Sequence, residues 1–98
     1  MEFEWDVNKA AANVRKHGVS FDEAKEVFGD AFAVTGDDVA HSATEPRERT
    51  VGRSGRSRVL VVISTKRAKA TRIISARKAM SHEVKGYEKA VKDKLRGG

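Results

Sequence analysis

"VLVVISTKRAKATRIISAR", residues 59–77, is the stretch whose reading decides the fold. Its first part, Val59–Thr65, runs apolar without alternation, the mark of a fully buried strand. "KRAKA" at 66–70 is a charged turn, and "TRIISAR" at 71–77 is a second strand of similar character. Two strands joined this closely pair antiparallel, and their aliphatic content puts both at the centre of a sheet. Arg72 and Arg77 bracket the second strand, where a guanidinium must be paired or reach solvent. Their five-residue spacing is odd, so on a regular strand they face opposite sides of the sheet.

Outward from this pair the chain organises simply. "FEW" at 3–5 reads as a short strand, and Asn8 can cap a helix over 9–17 that Gly18 ends. "SFDE" at 20–23 is a capping box that opens a second helix with Phe21, Ala24, Val27 and Phe28 on its apolar face. These helices make an αα-hairpin over 8–28. A strand from Ala31 turns at Gly36-Asp37-Asp38, and residues 47–52 give a charged strand followed by a Gly/Ser turn, "RSGRSR", at 53–58. Ser81 caps a last helix with Val84, Tyr87, Val91 and Leu95 along one stripe. The order β-α-α-β-β-β-β-α predicts an α+β fold, a largely antiparallel sheet of four or five strands with its helices on one face.

Ninety-eight residues allow one domain, 1–98, with one modest core. The absence of Cys excludes disulfides, thiolate metal sites and a thiol nucleophile. The acidic start has no apolar h-region and the longest aliphatic run is five residues, so the expectation is a cytoplasmic protein without a membrane role. The net charge of +6 is unevenly spread. Residues 1–45 carry 4 basic and 10 acidic side chains, whereas residues 46–78 carry 11 basic and 1 acidic. Basic residues this concentrated are the footprint of a polyanion binder, or of a solvated face.

The candidate residues follow from that footprint. A sheet covered on one face leaves the other open, where Arg72 can lie and toward which Arg77 can curl. Arg suits bidentate phosphate recognition, although each guanidinium can instead pair with a carboxylate such as Glu83 or Glu88. Lys9, Asn13 and Lys16 fall on one stripe of the first helix, read as a solvated polar face. His17 ends that helix with an imidazole able to give and take a proton near neutral pH, or to cap it. His41 and His82 lack the spacing to carboxylates that a metal site needs. Tyr87 and Trp5 read as packing residues, and no P-loop, GxGxxG or serine-nucleophile motif is present.

Taken together, these residues resemble the BrnT family, the toxin half of BrnT–BrnA toxin–antitoxin systems. The match comprises "FEWD" at 3–6, Lys9, Asn13, "KHGVSF" at 16–21, "EA" at 23–24, "VF" at 27–28 and Asp30. It continues through Arg47, Gly52, Arg58, "LVV" at 60–62, Thr65, "RIISARKA" at 72–79, Glu83 and Tyr87. The chain departs from the pattern at Lys66 and Met80, and at Glu48 and Arg49, where apolar residues are common. The resemblance implies a RelE/ParE-like fold and an endoribonuclease toxin that blocks translation without metal or cofactor. It also implies a BrnA-like antitoxin with a ribbon-helix-helix domain, whose dimer bridges two toxins into a heterotetramer and alone touches DNA. In the reaction so implied, Arg47, Arg72 and Arg77 stabilise the phosphate and His17 moves the proton. Lys9, Lys16, Arg56 and Arg58 hold the RNA backbone. A ParE-like toxin aimed at a protein target, or a non-enzymatic basic adaptor, would carry the same charge.

Overall fold

The computed structural model describes residues 1–39 and 45–97, so His41 lies outside the described residues. The chain runs β1 (Glu2–Glu4), α1 (Val7–His17), α2 (Phe21–Ala24) with a 3-10 continuation (Lys25–Gly29), then β2 (Val34–Asp37) and β3 (Glu48–Arg53). It continues as β4 (Val59–Arg67), β5 (Ala70–Lys78) and α3 (Ser81–Leu95). The five strands stand in the order β1-β5-β4-β3-β2. All neighbours are antiparallel except β1, which runs parallel to β5, so the sheet is mixed and the fold is α+β.

Local chemistry sets the helix ends. Asp6, not Asn8, caps α1: its Oδ1 accepts from the backbone N–H of Asn8 at 2.8 Å and Lys9 at 3.0 Å. Gly18 closes the helix with φ 69°, a left-handed conformation that costs glycine little. Ser20 caps α2 as its sequence predicts, but the α geometry lasts one turn before tightening to 3-10. Met80 occupies the cap of α3 and Ser81 is its first helical residue. The Glu83 carboxylate reaches back to accept from Met80 N at 2.8 Å.

The helices do not share one face. Leu60 and Val62 of β4, with Ile73 and Ala76 of β5, pack against Val19, Phe21, Ala24 and Val27 from the hairpin side. Val61, flanked by Val59 and Ile63, packs with Val51 against Tyr87 and Val91 of α3. A strand apolar at every position has two apolar faces, and each requires its own cover. The predicted open face is therefore half covered by α3, whose last apolar residue, Leu95, stays exposed.

Two further details position the site. The β4–β5 ladder pairs Ile63 with Ser75 but Ser64 with Ile73, which leaves Ile74 as an extra, bulged residue. This one-residue shift reverses the alternation, so Arg72, opposite Thr65, and Arg77, opposite Val61, emerge on the same face. The opposite-face expectation fails for that reason. Beyond the short β1, the edge of β5 is closed by α1. The buried Asn13 donates to Ala76 O at 2.8 Å and Val19 O at 2.9 Å, and its Oδ1 accepts from Ala76 N at 3.2 Å. Asn13 thus acts as a stand-in for a neighbouring strand, not as part of a solvated stripe.

Candidate active site

Where the end of α1 meets the uncovered part of the sheet there is a cleft of about 270 Å³. His17, Asp38, Arg49, Ser75 and Arg77 line it over a floor of Val61 and Ile63. The strand residues arrive by register. Arg49 of β3 stands opposite Ile63, Ile63 opposite Ser75, and Arg77 opposite Val61, so alternation puts all of them on one face. His17 reaches the rim because Asn13 holds the last turns of α1 against β5.

The two guanidiniums converge on one carboxylate. Arg77 forms a bidentate pair with Glu83, Nη1 to Oε1 at 2.8 Å and Nη2 to Oε2 at 3.0 Å, and Arg49 Nη2 donates to Glu83 Oε2. The Glu83 side chain is 5% exposed, while Arg77 and Arg49 keep 34% and 38% of theirs in solvent. The carboxylate is thus the buried hub and the guanidiniums present their outer edges. Hydrogen bonding from Arg77 outweighs burial and, with the Met80 N–H and Arg49, holds the Glu83 carboxyl down to about 2. The same bonds push the Arg77 guanidinium further up.

A second carboxylate hub lies outside the cleft. The buried Glu23 accepts from Arg58, Nε to Oε2 at 2.9 Å with a second bond from Nη2, and from Ser54 Oγ at 2.7 Å. The Arg58 bonds outweigh burial and hold the Glu23 carboxyl below its ordinary range. Arg58 Nη2 also donates to Gly18 O at 3.2 Å, which ties the β3–β4 turn to the residue after His17. The third hub is Asp30. Burial opposes its charge, but bonds from Tyr87 Oη at 2.5 Å and from the N–H of Arg53 and Phe32 prevail and hold it low.

Of the residues singled out in the sequence, the structure brings His17 and Arg77 into one cleft. Arg72 shares their face but stands four β4 positions from Arg77, about 13 Å along the strand. It pairs with Glu4 at 2.8 Å. Arg47 precedes β3, its carbonyl accepting from Asp38 N at 2.8 Å, and the cleft position belongs to Arg49 instead. Arg58 is tied to Glu23 and keeps 27% of its side chain in solvent. Arg56 is exposed at the tip of its turn, its N–H on Ser54 Oγ at 3.3 Å. Lys9 and Lys16 are exposed on α1, either side of Asn13. Arg49, Asp38 and Ser75 were missed. Only the strand register could have found them, because Arg49 sits in a charged stretch with no apolar alternation to fix its face.

Among the described residues, no group of three or more His, Asp or Glu side chains is placed to hold a metal ion. No described helix is long and apolar enough to cross a membrane. Residues 5–83 match the family model described as ribonuclease toxin, BrnT, of type II toxin–antitoxin system. The 1.1 Å crystal structure of the Brucella abortus ribonuclease toxin BrnT aligns with a TM-score of 0.65. That likeness, at 24% identity, covers 83% of this chain and 99% of the Brucella chain, and is one of fold. No curated protein matches the chain.

Proposed function

We propose, from the premise that this chain belongs to the BrnT family of ribonuclease toxins of type II toxin–antitoxin systems, that RNA is cut in the cleft between α1 and β5. The observation that carries this reading is the meeting of one imidazole, His17, and two guanidiniums, Arg77 and Arg49, over an apolar floor. In the reaction the ribose 2′-OH attacks the adjacent phosphorus and the P–O5′ bond breaks, leaving a 2′,3′-cyclic phosphate and a 5′-hydroxyl. Charge builds on the phosphorane oxygens, where the outer N–H groups of Arg77 and Arg49 donate. His17 takes the 2′-OH proton or returns one to the leaving oxygen. Lys9 and Lys16 hold the backbone on the α1 side, and Arg72 holds a phosphate further along the strand.

Glu83 is committed to the arginines and not available as a metal ligand. Glu83 has both oxygens engaged by guanidiniums and a backbone N–H, so no free carboxylate edge faces a cation there. The broader reading is a RelE/ParE-like toxin domain, 1–98, acting in the cytoplasm to stop translation. A BrnA-like ribbon-helix-helix antitoxin neutralises it in a heterotetramer. Neither a ParE-like protein target nor a non-enzymatic adaptor has an observation in its favour.

Labelled RNA incubated with the purified toxin in EDTA tests this. Cleavage with cyclic phosphate ends is expected. Arg77→Lys keeps the charge but loses the planar fork, and should cost about 10²–10³-fold in rate. His17→Ala should cost roughly 10²-fold. Arg72→Lys should act mainly on KM. Parent rates in the first two variants, with unchanged melts, would move the active site elsewhere.

A further inference from the structure

The cleft holds two like charges, Arg49 and Arg77, where one would suffice to bind a phosphate. Arg49 and Arg77 lie on strands separated by β4, and free guanidiniums at that distance would splay apart into solvent. The buried Glu83 carboxylate draws them together. We infer that Glu83 is a positioning residue for RNA cleavage, holding Arg77 and Arg49 as one preorganised fork aimed at the reacting phosphate. The inference rests on the reading of those two arginines as the phosphate-binding pair.

The geometry gives Glu83 three simultaneous duties. It takes both Nη atoms of Arg77, which fixes the plane of that guanidinium. It takes Nη2 of Arg49, which fixes the second guanidinium against the first. It also accepts from Met80 N at 2.8 Å, which pins the hub to the start of α3 and so to the half of the sheet that α3 covers. Preorganised donors need no reorganisation when charge develops, which is where such a site gains its rate. Electrostatics pull the other way. Glu83 cancels one of the two positive charges, so it weakens the attraction of the cleft for RNA before any bond changes.

These opposed effects give the role a signature. In Glu83→Gln the amide can still accept hydrogen bonds, but the charge that gathers the two guanidiniums is gone. A noncleavable RNA with a 2′-deoxy ribose at the scissile position should bind at least as tightly as to the parent, while kcat falls about 10–100-fold. If Glu83 merely offsets charge, binding and kcat should both rise. If it only supports α3, the variant should melt earlier with kcat restored at low temperature, where the folded fraction recovers. Either result overturns the inference.

Should the Gln variant not fold, Glu83→Asp decides. It keeps the charge and is one methylene too short to span both arginines, so parent RNA affinity with reduced kcat is expected. Parent kcat in that variant would overturn the proposal. Arg77→Lys, assayed in parallel, separates the two levels. Loss of cleavage in Arg77→Lys with parent kcat in Glu83→Asp removes only the positioning role. Parent cleavage in Arg77→Lys removes the reading of the arginine pair itself.

Discussion

At the scale of single residues, one amide does the work of a strand. Asn13 gives both N–H groups to carbonyls, Ala76 O and Val19 O, and accepts from Ala76 N, all of it buried. Asn13→Ala leaves those backbone groups without partners, and the expected cost is about 2–4 kcal/mol of stability in urea unfolding. Asn13→Asp should cost more, since a carboxylate would then face two carbonyl oxygens. Equal stability of all three proteins would show that the Asn13 hydrogen bonds do not hold α1 in place. The sequence places Asn13 beside Lys9 and Lys16 and gives no sign that it points inward. Its 63-residue separation from Ala76 puts the partner beyond any local pattern. His17 and Arg77 were legible because each is a chemically distinctive residue at the end of a well-marked element. Arg49 was not, because a guanidinium in a polar, charged strand looks the same on either face.

At the scale of elements, capping residues and changes of period made the order of helices and strands readable. The β4–β5 pair was the most readable part, and the structure sets it in the sheet with β4 central. What failed was phase. "RIISAR" contains two successive isoleucines, and nothing in their identity tells which one the ladder skips. The skipped residue, Ile74, decides that Arg72 and Arg77 share a face. The face of α3 failed for another reason: "VLVVI" already demanded cover on both sides, and a one-sided arrangement of helices contradicts it. The turn between these strands carries its own test. Ala68 adopts φ 48°, a left-handed conformation that a Cβ opposes. Ala68→Gly should stabilise the fold by about 1 kcal/mol, read as a higher midpoint in urea with the slope unchanged. A lower midpoint would mean that the entropy glycine adds to the unfolded chain exceeds the strain relieved.

At the scale of the whole molecule, the acidic N-terminal part and the basic middle are two sides of one set of ion pairs. Glu23 meets Arg58 and Glu4 meets Arg72, while Glu83 of the last helix meets Arg49 and Arg77. The excess positive charge is thereby drawn toward carboxylates, and the buried Glu23 and Glu83 tie distant parts of the chain together. The carboxylates of Glu83, Glu23 and Asp30 titrate together with the fold. Glu83 has an ordinary value of 4.5 that falls to about 2 in the native state, and Glu23 and Asp30 are lowered as well. A depressed native value means the unfolded chain binds protons first, so the stabilisation is complete above about pH 4.5 and is lost as pH falls toward 2. For Glu83 alone the shift corresponds to something on the order of 3 kcal/mol. Urea unfolding at pH 7, 4.5, 3.5 and 2.5 should therefore give nearly constant stability over the first interval and a steep fall below it. Glu83→Gln removes one of the titrating groups, so its curve should start lower at pH 7 and fall less on acidification. The contrast should survive 0.5 M salt, because a hub that is 5% exposed is screened far less than a surface pair. If the parent loses most of its stability between pH 7 and 5, or if salt abolishes the acid step, the ion pairs that organise the cleft are surface decoration and packing alone holds the two parts together.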